Sequence, residues 1–320
     1  MAPDIPVAAL IHISDLHFGS IFHNREHWFH RIAAKTPFQG LFPHDCQIAQ
    51  ALSHVINNLA QKYSVKNTPV VVIHSGDLTR AGKNAEFSVG STFLHSHFDE
   101  AGYCVGLRMK RSSERSMACV DPAVFDVPGN HDLWDRKHPD SVFRDHYPGP
   151  YPMEFRMQLN SKATLVIYGL DSNRSKLREH RKAKGEIDSR QLERICSHLQ
   201  KDAEERHSIR VVALHHPLYD PEGASSATSR LRLNHRENVA RRLREAGAHL
   251  VLSGHVHVPA FFPTTGDRPA HLIAGSGCQM GSQCSINAIE LVDQGAKSIR
   301  YDYDPQKLQF CASVETPIKY

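Results

Sequence analysis

The residues best suited to chemistry in this chain of 320 residues fall where apolar runs end. Leu10-Ile11-His12-Ile13-Ser14 leads into Asp15-Leu16-His17. Val70-Val71-Val72-Ile73 leads into Gly76-Asp77, and Val124-Phe125-Asp126-Val127 into Gly129-Asn130-His131-Asp132. Val211-Val212-Ala213-Leu214 leads into His215-His216, and Leu250-Val251-Leu252 into Gly254-His255-Val256-His257. Divalent metals of intermediate hardness accept imidazole nitrogen together with carboxylate or amide oxygen. Asp15 and His17 are two apart, past the point where a regular pleat applies, so both can reach one ion. His255 and His257 repeat that spacing. Asp77 stands alone, and a lone carboxylate between two ions can bridge them.

Asn130 offers a neutral carbonyl oxygen, which limits negative charge in a site that must also accept a phosphate. Two ions about 3.5–4 Å apart hold the non-bridging oxygens of a phosphate ester and lower the pKa of a bound water toward ~7, giving a hydroxide nucleophile. The leaving alkoxide then needs a proton. His131, next to Asn130, is placed to supply it or to stabilise developing charge. Asp132 could orient His131 or cap the loop.

Short β-branched runs bounded by Gly and Pro read as buried strands, and in open sheets ligands sit beyond the carboxyl ends of strands. Strands are predicted at 7–14, 69–75, 123–128, 163–170, 209–215, 248–253, 270–275, 285–292, 297–303 and 307–312. Helices are predicted at 45–63, 83–101, 188–206 and 234–246. In the first helix Ile48, Leu52, Val55, Ile56 and Leu59 follow a 3.6 period. The third opens at Asp188 or Ser189 and carries Leu192, Ile195, Cys196 and Leu199 on one face. Strands alternate with helices up to residue 254, which suggests βαβ units. After 270 strands follow closely, as in an antiparallel meander. Gly76, Gly129 and Gly254 would let the backbone turn sharply before the reactive residues. One α/β domain over 1–320, with two packed sheets and outer helices, fits this pattern.

The bulk properties allow that reading. A 40% hydrophobic content supports a sizeable core, and a net charge of +4 does not by itself argue for nucleic acid or an anionic membrane. Seven Cys with no Cys-x-x-Cys pair and no signal peptide point to reduced thiols rather than a disulfide framework. No stretch approaches the ~18 apolar residues of a spanning helix, so a soluble, cytoplasmic protein is expected. Residues 19–43, 103–121 and 218–233 read as irregular segments that could rim a site. Of the 23 His, those outside the motifs, such as His27, His30, His95, His97, His138 and His180, read as ordinary surface or partly buried residues.

The set Asp-x-His, Gly-Asp, Gly-Asn-His-Asp, His and Gly-His-x-His, complete and in order, resembles the calcineurin-like metallophosphoesterase superfamily. The resemblance spans residues 10–260 by motif. It implies a four-layer fold in which a two-sheet β-sandwich is flanked by helices. It also implies two divalent or trivalent metal ions, Fe with Mn or Zn or two Mn. Asp15, His17, Asp77 and His257 would hold one; Asp77, Asn130, His215 and His255 the other. His131 matches the catalytic proton donor or transition-state stabiliser, and of the His215-His216 pair the pattern favours His215 as ligand.

Ser75-Gly76-Asp77-Leu78-Thr79, Gly169-Leu170-Asp171-Ser172-Asn173, His215-His216-Pro217-Leu218 and Gly185-Glu186-Ile187-Asp188 look like the class III cyclic nucleotide phosphodiesterase branch. That branch implies a small phosphate-ester substrate, with hydrolysis of a phosphodiester, and includes dimers, so a homodimer is compatible. Two other readings remain: a DNA repair nuclease of the same superfamily, left open by His257-Val258-Pro259 and a pI near 8.6, and a non-catalytic scaffold, disfavoured by the complete ligand set. Outside that set, Arg80 could clamp a phosphate, the basic residues Arg174, Lys176, Arg178, Arg181, Lys182 and Lys184 could steer anions, Asn173 could touch substrate, and Trp28 and Phe29 could stack on a base. Each also has an ordinary structural role open to it.

Overall fold

The computed structural model describes residues 6–19, 44–100, 103–107, 109–111, 122–134, 139–159, 163–173, 183–204, 207–222, 232–279, 282–292 and 294–320. Most of the loop 19–43, with Phe22, His27, Trp28, Phe29, His30 and Phe38, lies outside them. So do residues 112–121, His138, 223–231, His180 and the basic residues Arg174, Lys176, Arg178, Arg181 and Lys182.

The apolar runs form strands covered on both faces, which is why they lack polar alternation. In chain order the strands among the described residues are β1 (Ala8–Ile13), β2 (Val70–His74), β3 (Phe98–Glu100), β4 (Tyr103–Val105), β5 (Lys110–Arg111), β6 (Ala123–Asp126), β7 (Met153–Gln158), β8 (Thr164–Gly169), β9 (Ser208–Ala213), β10 (Leu250–Ser253), β11 (Ala260–Phe262), β12 (Ala270–Ile273), β13 (Ser285–Val292), β14 (Gly295–Asp304) and β15 (Gln309–Lys319). The helices are α1 (Cys46–Ser64), α2 (Asn84–His95), α3 (Pro139–His146), α4 (Ser189–Glu204) and α5 (Arg236–Glu245). One sheet has seven strands in the order β15-β14-β13-β1-β2-β6-β5, and the other six in the order β11-β12-β10-β9-β8-β7. β3 and β4 form a separate hairpin.

Alternation along each strand divides the core into layers. Leu10, Val71, Ile73 and Phe125 of the first sheet meet Ile167, Val211, Leu250 and Leu252 of the second. The opposite face of the first sheet, Ile11, Ile13, Val72 and Val124, packs on α1 and α2 through Leu52, Ile56, Phe87 and Phe93. The outer face of the second sheet, Val166, Tyr168, Val212 and Val251, packs on α4 and α5 through Leu192, Ile195, Leu199 and Leu243. Each fully buried Leu or Ile in these layers contributes about 1.5–3 kcal/mol relative to exposure. The result is the expected four-layer α/β arrangement.

Register then levels the strand ends. β1, β2 and β6 run parallel, with Ile13 beside His74 and His74 beside Asp126. β8, β9 and β10 run parallel, with Gly169 beside Ala213 and Ala213 beside Leu252. The loops after these ends therefore emerge at one rim of the sandwich.

Several boundaries differ from the sequence expectation. The helix predicted over 83–101 stops at His95, where Ser96 turns extended and the β3–β4 hairpin begins. Strand β7 was not expected, although Phe155 and Met157 alternate inward with Glu154 and Arg156 outward. Helix α3 and the short strands β5 and β11 were not expected either. The meander after 270 starts later than expected. β12 pairs parallel to β10 in the second sheet, and only β13, β14 and β15 form an antiparallel ladder, on the first. α4 takes its cap from Asp188, whose carboxylate accepts from Arg190 N at 2.9 Å and Gln191 N at 3.3 Å. Among the described residues Cys46, Cys196, Cys278, Cys284 and Cys311 form no disulfide. Among the described residues no helix is long and apolar enough to cross a membrane.

Candidate metal centre

The turn residues bend in a way the sequence did not announce. Asp15, His17, Asp77, His255 and His257 all take positive φ, between 51° and 72°. This left-handed region costs a non-glycine residue about 1–3 kcal/mol, and Asp and His tolerate it better than most. Alternating it at Asp15 and His17, and again at His255 and His257, turns both side chains of each pair toward the same rim.

The neighbouring glycines serve two purposes. Gly76 does adopt positive φ, at 101°. Gly129 and Gly254 do not; they allow close approach instead. A Cβ on Gly129 would collide with the backbone and carboxylate of Asp77, and one on Gly254 with the Ser14 hydroxyl and the Asp15 carboxylate.

All seven residues expected as metal ligands come together. His257 Nε2 lies 3.1 Å from Asp15 Oδ1 and 3.2 Å from His17 Nε2. His17 Nε2 is 3.8 Å from Asp77 Oδ2. His215 Nε2 lies 3.0 Å from Asn130 Oδ1, 3.1 Å from His255 Nδ1 and 3.3 Å from Asp77 Oδ2. Three groups have ligand atoms within 4.8 Å of one another: Asp15 with His17 and His257, His17 with Asp77 and His131, and Asp77 with His215 and His255. Asp77 thus belongs to groups on both sides.

The donor set fits cations better than it fits itself. His215 donates from Nδ1 to the Ser75 carbonyl at 2.9 Å, so its Nε2 faces three lone-pair-bearing atoms with at most one proton to offer. Nε2 of His255 and Nδ2 of Asn130 are buried without a hydrogen-bond partner. A positive ion at each convergence point would satisfy the oxygens and imidazole nitrogens together.

The electrostatics express the same crowding. Burial pushes Asp77 upward, but the imidazoles of His215, His131 and His17 outweigh it and hold the carboxyl well below its usual range. Asp15 behaves alike, with burial opposed by His257. Burial would lower His215, yet Asp77 beside it raises the imidazole to about 9. His17 and His216 are pushed well below the ordinary value, first by burial and then by neighbouring imidazoles. His255 falls to about 3 for the same reasons.

His131 is clamped rather than free. Its Nδ1 donates to the Arg80 carbonyl at 2.8 Å, and its ring stacks on Trp134 with centroids 3.6 Å apart. Asp132 does not orient it. That carboxylate accepts from Thr79 N and Oγ1 at 2.9 and 2.8 Å and from Gly129 N at 2.8 Å, tying two loops together. His216 stands behind the cluster, its Nδ1 2.9 Å from the Ser172 hydroxyl and its ring 4.4 Å from that of His255.

This constellation decides the family. The calcineurin-like phosphoesterase profile matches residues 8–259, the span that carries every one of these side chains. The chain belongs to the calcineurin-like phosphoesterase family. A comparison with curated proteins gives no significant match. The phosphoesterase fold is shared with a dimetal phosphatase from Danio rerio at 11% identity and a TM-score of 0.54, over 98% of this chain and 99% of that one. It is shared equally with GAP50, the anchor in the inner membrane complex of Plasmodium, at 12% identity and a TM-score of 0.54, over 98% and 88%. At such identities the likeness concerns the fold alone.

Other candidates from the sequence are placed differently. Arg80 is half-buried and contributes its carbonyl to His131. Asn173 donates from Nδ2 to the Pro128 carbonyl at 3.1 Å, bracing the loop that carries Asn130. Sequence reasoning missed Trp134, the carbonyls of Ser75 and Arg80, and Ser282, whose hydroxyl lies 3.2 Å from His257 Nδ1. Carbonyls carry no residue signal, and Ser282 lies beyond every motif.

Proposed function

We propose that this metallophosphoesterase hydrolyses small phosphodiesters at a binuclear centre built from the seven converging side chains. The observation that supports it most is the shared position of Asp77, whose Oδ2 lies 3.3 Å from His215 Nε2 and 3.8 Å from His17 Nε2. Asp15, His17, Asp77 and His257 would hold one ion, and Asp77, Asn130, His215 and His255 the other. Such a pair supplies polarisation of the phosphoryl oxygens and acidified water near neutral pH. Fe with Mn or Zn, or two Mn, suits these donors.

The chain's own part is orientation and proton handling. The Ser75 carbonyl holds the proton of His215 on Nδ1, so Nε2 faces the cluster. The Arg80 carbonyl does the same for the Nδ1 proton of His131, which groups with His17 and Asp77. Proton delivery to a leaving oxygen needs the imidazolium form, which burial opposes by lowering the His131 pKa while Asp77 and the Arg80 carbonyl favour it. Trp134 on one ring face and His17 edge-on at 4.7 Å fix the direction of that transfer.

The diester preference rests on the motif likeness to class III phosphodiesterases, and a cyclic nucleotide is one candidate within that class. The complete donor set favours catalysis over an anchoring role. We also read the chain as one domain and as cytoplasmic. The test is turnover of bis-p-nitrophenyl phosphate against p-nitrophenyl phosphate with Mn, Fe, Co or Zn, followed by cyclic nucleotides and glycerophosphodiesters. Faster release from the diester supports this reading. No release from either ester with any of these metals contradicts it.

A further inference from the structure

Residues 276–279 and Ser282 lie beyond residues 8–259, the span the family profile matches, yet they reach the centre at several points. Ser276 Oγ donates to the Asp15 carbonyl at 2.8 Å, and Gly277 N to the Ser14 carbonyl at 2.8 Å. Cys278 Sγ donates to the Leu16 carbonyl at 3.3 Å. These bonds hold the backbone that carries Asp15 and His17 in its left-handed turns. The Ser282 hydroxyl donates to Gln279 Oε1 at 2.8 Å and lies 3.2 Å from His257 Nδ1.

Proton counting gives this last contact a direction. A hydroxyl has one proton. Ser282 commits it to Gln279, which is fully buried and itself held by a bond from its backbone nitrogen to Ser276 Oγ at 3.0 Å. The Ser282 oxygen therefore accepts from His257, which must carry its proton on Nδ1. Nε2, 3.1 Å from Asp15 Oδ1, is the ring nitrogen left to face the cluster. The other half of the centre has an unrelated device, the Ser75 carbonyl on His215.

We infer that these residues position one cation site only, with Gln279 and Ser282 setting the tautomer of His257 and Ser276 fixing the Asp15 turn. The inference rests on the proposed binuclear centre and adds that these residues bear on the Asp15–His257 half, which meets the other half where His255 N donates to Asp15 Oδ2 at 2.9 Å. Partners of this kind typically change metal affinity by about 10–100-fold.

The experiment is a calorimetric titration of Zn²⁺ alone into metal-stripped protein, for the parent, Ser282→Ala and Ser282→Thr. The parent is expected to take two equivalents. Ser282→Ala is expected to keep one equivalent at the parent affinity and bind the other about 10–100-fold more weakly, and Ser282→Thr, which keeps the hydroxyl, to recover most of it. Equal thermal unfolding of the metal-free proteins separates this from a general loss of fold. Parent affinities for both equivalents in Ser282→Ala, or equal weakening of both, would overturn the inference while leaving the centre intact. A parent that binds no zinc would overturn both. An independent check is the imidazole ¹H–¹⁵N pattern of the zinc-loaded parent protein: a His257 proton on Nδ1 is expected, and its absence there contradicts the relay.

Discussion

The peptide nitrogen of His131 donates to Oδ1 of Asp77 at 2.8 Å. The two oxygens of that carboxylate are therefore unlike. Oδ1 is anchored by the loop that also carries Asn130, and Oδ2 is left to face the imidazoles of His17 and His215. The proposed acid and the shared carboxylate are thus built as one unit, through a bond that does not depend on the side chain of residue 131.

His131→Ala keeps that peptide bond and should keep the metal. Loss of a positioned proton donor is worth about 10²–10⁴ in rate. The expected outcome is unchanged metal content with kcat reduced in that range, more for esters with alkyl leaving groups than for p-nitrophenyl esters, which depart without a proton. Equal losses for both ester types would remove His131 from proton transfer.

Gly254→Ala tests close approach. The added Cβ meets the Ser14 hydroxyl and the Asp15 carboxylate, both on buried, rigid backbone. Overpacking of this kind costs about 1–3 kcal/mol, so a lower melting temperature and weaker metal binding are expected. Gly266→Ala, where nothing lies within 4 Å, should match the parent. Thermal scans and metal titration of the two variants give the comparison; equal behaviour would contradict the packing account.

Asp126 sets a pH-dependent contribution on the flank of the first sheet. Burial would raise its carboxyl, but His74, 2.6 Å away, and His146 outweigh it and hold it below the ordinary 3.8. A depressed carboxyl stabilises the fold at pH above its unfolded value, and that contribution fades as pH falls through the folded value. Asp126→Asn is therefore expected to lose about 2 kcal/mol at pH 7, with the gap to the parent narrowing below pH ~4. Urea unfolding at both pH values measures it. A gap that does not change with pH would rule the ionised carboxylate out as the source.

The strand ends were legible because strands buried on both faces appear as unbroken apolar runs, and Asp, Asn and His just after such runs are rarely there for packing. What the sequence concealed was mostly backbone. Left-handed φ at Asp15, Asp77 and His257 is only weakly marked by residue type, and the carbonyls of Ser75 and Arg80 could come from any residue. The glycine signal was real but misread at two of its three positions: Gly76 turns, whereas Gly129 and Gly254 make room. β7 did show period-two alternation, but its Met and Arg do not resemble a β-branched run. Ser282 acts from a loop with no motif around it.

The most direct measurement is metal content by elemental analysis, with diester turnover on the same samples, for the parent and Asp77→Asn after reconstitution with Mn. The parent is expected to hold two ions per chain and to cleave bis-p-nitrophenyl phosphate. Asp77→Asn, lacking the charge shared by both halves, is expected to fall below two ions and lose that activity. A variant that keeps both ions and cleaves at the parent rate would contradict the shared-carboxylate centre.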